Sequence, residues 1–241
     1  MNLMKKAPVL LLPILSCATA ALLSISSASA SIITPGPGAF PPDIFIGIPG
    51  GTLLASLTLP ASFTTTAGTT SFTLTTAVYR DPLNPFGAGD LDFVYQISNS
   101  ANSVGPINRL TGSSFTGFQT DVGFIPTGST LAGGLFVNGS VSPQLVDRLT
   151  AATVGFGFSA PLTLSIFPGQ TSVVLAIQTD ATNFAAGNFS VIDGGSFTGA
   201  AFQPAGPASR TPDSGTTAFL LGLGLIGIVL GHRLTPARNA A

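Results

Sequence analysis

Apolar and polar residues alternate with a period of two along short segments punctuated by Gly, Pro, Asn and Asp, and this pattern restricts the chain to strands with one inward face. Phe72, Leu74, Thr76 and Val78 share one face. Leu91, Phe93, Tyr95 and Ile97 share another, with Asp92, Gln96 and Ser98 on the opposite side. Further strands are predicted at 53–59, 135–137, 154–158, 162–166, 172–177 and 189–192, each β-branched or aromatic and closed by turn residues. Many short strands at close spacing predict an all-β fold, an antiparallel β-sandwich of jelly-roll or Ig-like type, over 44–202. One helix is predicted, at 142–152, where Leu145, Val146 and Leu149 form an apolar stripe after Ser142 and Pro143. The Pro/Gly-rich stretches 31–43 and 203–211 read as linkers on either side.

Chemistry is restricted as sharply as shape. Of 241 residues only 7% are charged, with eight Lys and Arg against nine acids for a net charge of -1, so nothing marks a nucleic-acid partner. Every acid is Asp. Cys17 and His232 lie near the two ends, Lys5 and Lys6 are the only lysines, and Trp does not occur. Between the ends there is accordingly no Cys, His, Lys, Glu or Trp to serve as nucleophile, general base or soft metal ligand. No catalytic residue and no cofactor is assigned, and the chain is expected not to be an enzyme.

Both ends carry membrane signals. Lys5 and Lys6 precede an apolar stretch that runs to Leu23, and Ala28-Ser29-Ala30 has the small-x-small pattern cut by signal peptidase, so 1–30 reads as a signal peptide cleaved after Ala30. The alternative is a lipoprotein signal ending at Cys17, whose acylation would tether the N-terminus. At the other end, 214–231 is free of charge; as a helix it is about 27 Å long against a hydrocarbon core of about 30 Å, and a transmembrane helix is predicted at 216–231. Arg233 and Arg238 beyond it are a membrane stop that holds the tail in the cytoplasm and leaves the body outside.

Pro212-Asp213-Ser214-Gly215, the short Gly-rich apolar helix and the basic end together resemble the PEP-CTERM sorting signal of exported bacterial proteins, in its Pro-Asp-Ser-Gly variant, over 212–241. The resemblance implies a substrate of an exosortase, a membrane-embedded transpeptidase that cuts near the Pro-containing motif and passes the protein to the cell surface or to an extracellular matrix of exopolysaccharide. Pro-Asp-Ser stands where Pro-Glu-Pro is usual, and Thr211 where this variant commonly has Val. The motif also makes physical sense at that place. Pro212 disfavours helix at Thr211 and keeps the approach to the membrane extended, Asp213 stays in water, and the barely spanning helix fixes their height above the bilayer. The runs 78–99, 115–118 and 120–124 are similar to ectodomains of other PEP-CTERM proteins, which implies a shared β-rich extracellular fold and no particular activity. The partners implied are signal peptidase, the exosortase, the membrane before processing, and exopolysaccharide.

Within the body, Asp81, Asn84, Asp90 and Asp92 fall in one loop with Gly87 and Gly89 and offer the hard oxygens that Ca²⁺ takes. The same residues suit a long turn capped by Asx hydrogen bonds. A structural or interaction role stands first for this body. A polysaccharide-binding module is the alternative, with Tyr79 and Tyr95 as its candidate stacking residues, although Tyr95 shares a face with Leu91 and Phe93 and reads as core. A membrane-anchored hydrolase using Asp carboxylates, Asp90 and Asp92 among them, is the second alternative. The Thr-rich stretch 62–76 reads as an exposed strand or a glycosylated segment. Ser-Phe-Thr-Gly occurs at 114–117 and again at 196–199, a coincidence in a chain of this composition and not a structural repeat.

Overall fold

The computed structural model describes residues 30–45, 51–158 and 164–208. Along them run the strands β1 (Ala39–Phe40), β2 (Asp43–Ile44), β3 (Thr52–Thr65), β4 (Gly68–Asp81), β5 (Asp90–Asn99) and β6 (Arg109–Gly112). The second half supplies β7 (Thr120–Ile125), β8 (Leu145–Thr150), β9 (Thr153–Gly157), β10 (Val174–Thr179), β11 (Ala181–Ile192) and β12 (Ser196–Ala208). Apart from 3₁₀ turns at Gly128–Thr130 and at Leu164, the described residues contain no helix. The protein is all-β. Its strands form two six-stranded sheets, ordered β1-β8-β9-β6-β11-β12 and β2-β7-β10-β5-β4-β3. The pairings are antiparallel, except that the two-residue β2 runs parallel to β7.

One hydrophobic cluster draws on both sheets. The β4–β5 register sets Val78 opposite Phe93 and Leu74 opposite Ile97, all turned inward, where they join Leu110, Phe156, Phe189 and Val191 of the other sheet. Aromatic pairs bridge the gap: Phe72 on β4 meets Phe197 on β12 edge-on, with centroids 5.7 Å apart. The Tyr95 hydroxyl on β5 donates to the Phe202 carbonyl on β12 at 3.3 Å. On β3, Leu57, Leu59, Ala61 and Phe63 lean inward while Thr58, Pro60, Ser62 and Thr64 are exposed; the Thr-rich stretch 62–76, expected as one exposed strand, is the end of β3, a turn and the first half of β4, with Phe72 and Leu74 in the core. On the other sheet, Arg109 on β6 reaches across β9 to form a two-pronged ion pair with Asp147 on β8, at 2.6 and 2.8 Å. That reach requires Gly155, since a Cβ there would lie 2.0 Å from the Arg109 guanidinium.

The face of β5 that alternation turns away from this core is buried as well. Leu131 and Phe136, from the long excursion between β7 and β8, cover Ala77, Tyr79, Val94, Val174 and Ala176 and make a second apolar layer. Two polar side chains hold the cover down. Gln96 donates to the carbonyls of Val137 and Ser172 at 2.7 and 2.9 Å and accepts the Val137 N–H at 3.0 Å. Tyr79 donates to the Ala132 carbonyl at 2.6 Å, and burial pushes its phenol up to about 12.

Several predicted elements are corrected. The helix expected at 142–152 is the strand β8 and its turn into β9, closed by a Thr150–Thr153 hydroxyl contact of 2.8 Å. Of its supposed apolar stripe only Val146 is buried; Leu149 is 56% exposed, so no helical face is there to be covered. The segment 135–137 is extended but pairs with no strand, and Ile166 makes only an isolated bridge to Ile107, residues 162 and 163 lying outside the described part. The linker expected from 203 onward is strand as far as Ala208. Pro204 and Pro207 fit there because β12 is the outermost strand of its sheet, where a missing N–H costs no ladder bond. The expected N-terminal linker holds β1 and β2 and sends Ile33 into the core. The signal peptide and the sorting tail fall outside the described residues, among which no helix is long and apolar enough to cross a membrane.

The weight placed on the shared core is measurable. Phe93→Ala, which empties a fully buried site, is expected to cost about 3–5 kcal/mol, while Leu149→Ala at its exposed position stays within about 0.5 kcal/mol. Urea unfolding of the two variants reads both values.

Candidate functional site

Carboxylates gather at one pole of the protein. β4 arrives there at Asp81 and β5 departs at Asp90, directly opposite in register, so these strand ends and the turn between them carry all four residues of the predicted calcium set. The structure does bring them together, all buried, Asp92 completely. Three of their oxygens, however, are spent within the cluster and its turn. Asp81 Oδ1 accepts the Leu83 N–H at 2.9 Å and Asn84 Oδ1 accepts the Phe86 N–H at 2.9 Å. The Asn84 amide points its donor at Asp92 Oδ1, 2.9 Å away, and at the Thr179 carbonyl, 3.2 Å away. A donor aimed into the cluster is the wrong polarity for a cation. Among the described residues no group of three or more acids, His or Cys is placed to hold a metal ion.

The acidic row continues across the sheet. Gln178 on β10 lies opposite Asp92 on one side and opposite Asp121 on the other, so the three side chains share the outward face. Asp92 Oδ2 makes no hydrogen bond, and the Asp81 carboxyl and Gln178 amide are its polar neighbours. Burial first, and the charge of Asp81 next, push Asp92 well above the usual carboxylate range, against the Asn84 and Gln178 amides. Burial also pushes Asp121 up to about 7, with Asp43 adding to the rise and backbone N–H groups of Ser31 and Val122 opposing it. Asp180, two residues beyond Gln178, is raised by burial and by Asp90, and is held back by the Gln119 N–H at 2.8 Å and by Arg148. Burial thus raises three acids of this pole, Asp92, Asp121 and Asp180, toward their neutral forms.

Arg148 organises the same pole. It is buried, and its guanidinium donates to Thr120 Oγ1 at 3.1 Å and to the carbonyls of Phe115 and Ala151 at 2.9 and 3.0 Å, with the Ile33 carbonyl at 3.5 Å. Its own carbonyl accepts the Gly36 N–H at 3.0 Å. One side chain thereby ties the N-terminal segment, the β6–β7 connection and the β8–β9 turn. The N-terminal segment is seated further by the Ile33 N–H on the Thr120 carbonyl at 2.9 Å and by the Ser31 N–H on Asp121 Oδ2 at 3.1 Å. β2 lies against Gly123, where a Cβ would come within 2.2 Å of the Asp43 carbonyl.

Both ends of the body emerge here. Ser31 touches Asp121, which pairs with Gln178; three residues past Gln178, Ala181 pairs with Ala208, the last residue of β12. Of the sequence-predicted site residues, Asp81, Asn84, Asp90 and Asp92 are at this pole, and Ala30 is half-buried beside Ser31. Ala28, Pro212, Asp213, Ser214, Gly215, Arg233 and Arg238 lie outside the described residues. Sequence reasoning missed Asp43, Asp121, Arg148, Gln178 and Asp180, which are distant in sequence and share no motif. The two tyrosines considered for sugar stacking are both fully buried.

The row has a pH signature. Asp92 has a folded-state pKa raised above its ordinary 3.8, so the native state binds a proton that the unfolded chain has released, and its contribution to stability falls as pH rises through that window. Asp92→Asn keeps the shape and removes the titration. Its urea midpoint is expected to match the parent near pH 4, to exceed it near pH 8, and to vary less between the two.

Compared with protein-family models, with curated proteins and with solved structures, the chain has no match in any of the three.

Proposed function

We propose that the chain is an exported bacterial surface or extracellular-matrix protein, delivered by an exosortase-type sorting system and serving a non-catalytic structural or interaction role. Its body is a β-sandwich of jelly-roll or Ig-like type. It is held at the membrane before processing and released to the cell surface or matrix afterwards. The observation that carries the reading is the convergence of the chain ends: Ser31 and Ala208 leave the body at the same pole. A signal peptide and a C-terminal membrane helix can therefore occupy one bilayer together while the body folds above it. A sequence with export signals at opposite poles would have to stretch one linker along the whole body. The burial of Asp90 and Asp92 argues against the hydrolase alternative, because a glycosidase needs its carboxylates on either face of an accessible sugar.

The test is the intact mass of the protein isolated from its host. The expected product begins at Ser31 and lacks the helix and basic end beyond Pro212-Asp213-Ser214-Gly215, and Pro212→Ala leaves the whole tail attached at the membrane. Recovery of the unaltered protein with Ala241 still present, or in the cytosol, would sink the delivery reading.

One observation favours polysaccharide contact as the form of the interaction. A shallow depression of about 560 Å³ on the outer face of the β3-β4-β5 corner is lined by Pro60, Ser62, Ser71, Thr73, Ser98 and Ser100. Neighbouring hydroxyls already pair with one another, Ser98 with Thr171 at 2.9 Å and Thr64 with Thr69 at 3.1 Å. Hydroxyl groups that donate and accept equally well match those of a neutral sugar. Thr73→Arg, which fills the depression, is expected to abolish co-sedimentation with exopolysaccharide from the same host and leave the β-rich circular dichroism spectrum unchanged.

A further inference from the structure

Asp121 is 3% exposed, yet only one of its two carboxylate oxygens is bonded: Oδ2 takes the Ser31 N–H at 3.1 Å, and Oδ1 has no hydrogen-bond partner. Asp43, brought up on β2, adds a second acid beside it. The remaining neighbours do not neutralise the pair. Gln178 faces Asp121 from β10 with a neutral amide, Ile32 faces it from the N-terminal segment, and Arg148 on β8 spends its guanidinium on Thr120 Oγ1 and on carbonyls. A buried carboxylate with an unmet oxygen, beside a second, half-buried acid, is costly unless it keeps a proton or a cation belongs there. The atom already in contact is the backbone nitrogen of Ser31, the residue that follows the proposed signal-peptidase site.

We propose that Asp121, with Asp43 beside it, is the binding site for the α-ammonium group that signal-peptide removal creates on Ser31, and that this contact locks the N-terminal segment onto the body. The inference rests on the proposed cut after Ala30. Hydrolysis breaks the Ala30–Ser31 C–N bond; the oxygen of water completes the Ala30 carboxylate on the departing peptide, and Ser31 is left with an amine that is protonated at neutral pH. One neutral N–H donor becomes three charged ones on the same atom. The first keeps Oδ2, a second satisfies Oδ1, and the third remains solvated, because Ser31 is exposed and a cleft of about 240 Å³ lined by Ser31, Phe40, Pro41 and Asp43 opens beside it. Hydrogen bonds between ionised partners are about twice as strong as neutral ones. Before the cut Asp121 titrates near neutrality; after it, the ammonium holds the carboxyl ionised. The body is thus looser at its N-terminal end as a precursor than as a product.

Sequence composition makes the test clean. Lys5 and Lys6 leave with the signal peptide, so the processed chain has no lysine, and its α-amine is the one primary amine an acylating reagent can find. The processed protein from its host is first sequenced at its N-terminus. The rate of acetylation against pH then reads the pKa of that amine. It is expected about one unit or more above the ordinary 7.7–8.0, and back in the ordinary range in Asp121→Asn. A raised folded-state value means that the stabilisation is complete below the unfolded pKa and is lost as pH rises through the folded one. Acetylated protein, in which Ser31 is an amide again, is expected to melt lower at pH 7 by about 2–4 °C or more. Should Asp121→Asn fail to fold, the amine pKa of the unaltered protein decides by itself. An ordinary pKa on a chain that does begin at Ser31 overturns this inference and leaves the delivery reading intact. An N-terminus other than Ser31 overturns both the inference and the assigned cleavage site.

Discussion

Burial of β5 on both faces is the constraint on which the other features depend. Leu91, Phe93, Tyr95 and Ile97 fill the space between the sheets; on the other side Val94 and Gln96 are sealed by the β7–β8 excursion, and Asp92 is met by Asn84 of the β4–β5 turn. The apolar half of this arrangement is strongly favourable, at about 1.5–3 kcal/mol for each large side chain fully buried. The polar half has to be made neutral and bonded, since an unmet buried donor or acceptor costs about 1–3 kcal/mol. Gln96 meets that condition completely. Its amide uses both ends on Val137 and Ser172, and in doing so it holds the cover in place. At Asp92 burial favours the neutral form instead.

The same logic spreads along the outer face to Asp121 and Asp180. A sheet row that carries acids where its neighbours carry none of the opposite charge can be buried only by protonation or by importing a cation. Arg148 opposes the rise at Asp180 alone, while carbonyl oxygens of three separate segments claim its guanidinium. Its task is closer to that of a rivet through the pole. The charge deficit at Asp121 and Asp43 is then a local property of the N-terminal contact, which ties it to what happens to the chain at Ser31.

Much of the inner half of the fold was legible in the sequence. Period-two alternation on β3, β4 and β5 marks faces that the structure uses, and it does so because those strands bury one uniform stripe against the opposite sheet. The outer half was not. Asp92 and Gln96 look like solvent-facing positions to any one-dimensional pattern, and the segment that covers Gln96 is over thirty residues further on. Leu145, Val146 and Leu149 fit a helical stripe equally well on paper; hairpin pairing of β8 with β9 through Val146 and Phe156, and of β9 with β6, decided the matter by cross-strand contacts that spacing does not encode. Pro204 and Pro207 read as linker because Pro breaks central strands, and the exemption for an outermost strand depends on sheet order. Ser-Phe-Thr-Gly makes the point most directly: at 114–117 it is a loop that inserts Phe115 into the core with Ser114 at a φ of 72°, and at 196–199 it is the start of β12. The candidate pole was legible only in its β4–β5 turn, where four residues lie close in sequence.

The convergence of the chain ends also sets which parts of the body face outward. The turn at 65–68, the segment around Val104 and Gly105, and the turn at 193–195 lie together, as the approach of Gly68 to Val104, Gly105 to Asp193 and Gly195 to Phe63 shows. They close the ends of β3, β4, β5, β11 and β12 remote from Asp81, Asp121 and Ala208. On the proposed delivery the acidic pole stands over the bilayer and these turns stand farthest from it, with the hydroxyl-lined corner of β3, β4 and β5 on the flank between. A body so poor in charge has little electrostatic steering to offer a partner. What it presents instead is an uncharged face of Ser and Thr on β3 and β4, which on the proposed reading is where a neutral polymer would lie without desolvating an ion.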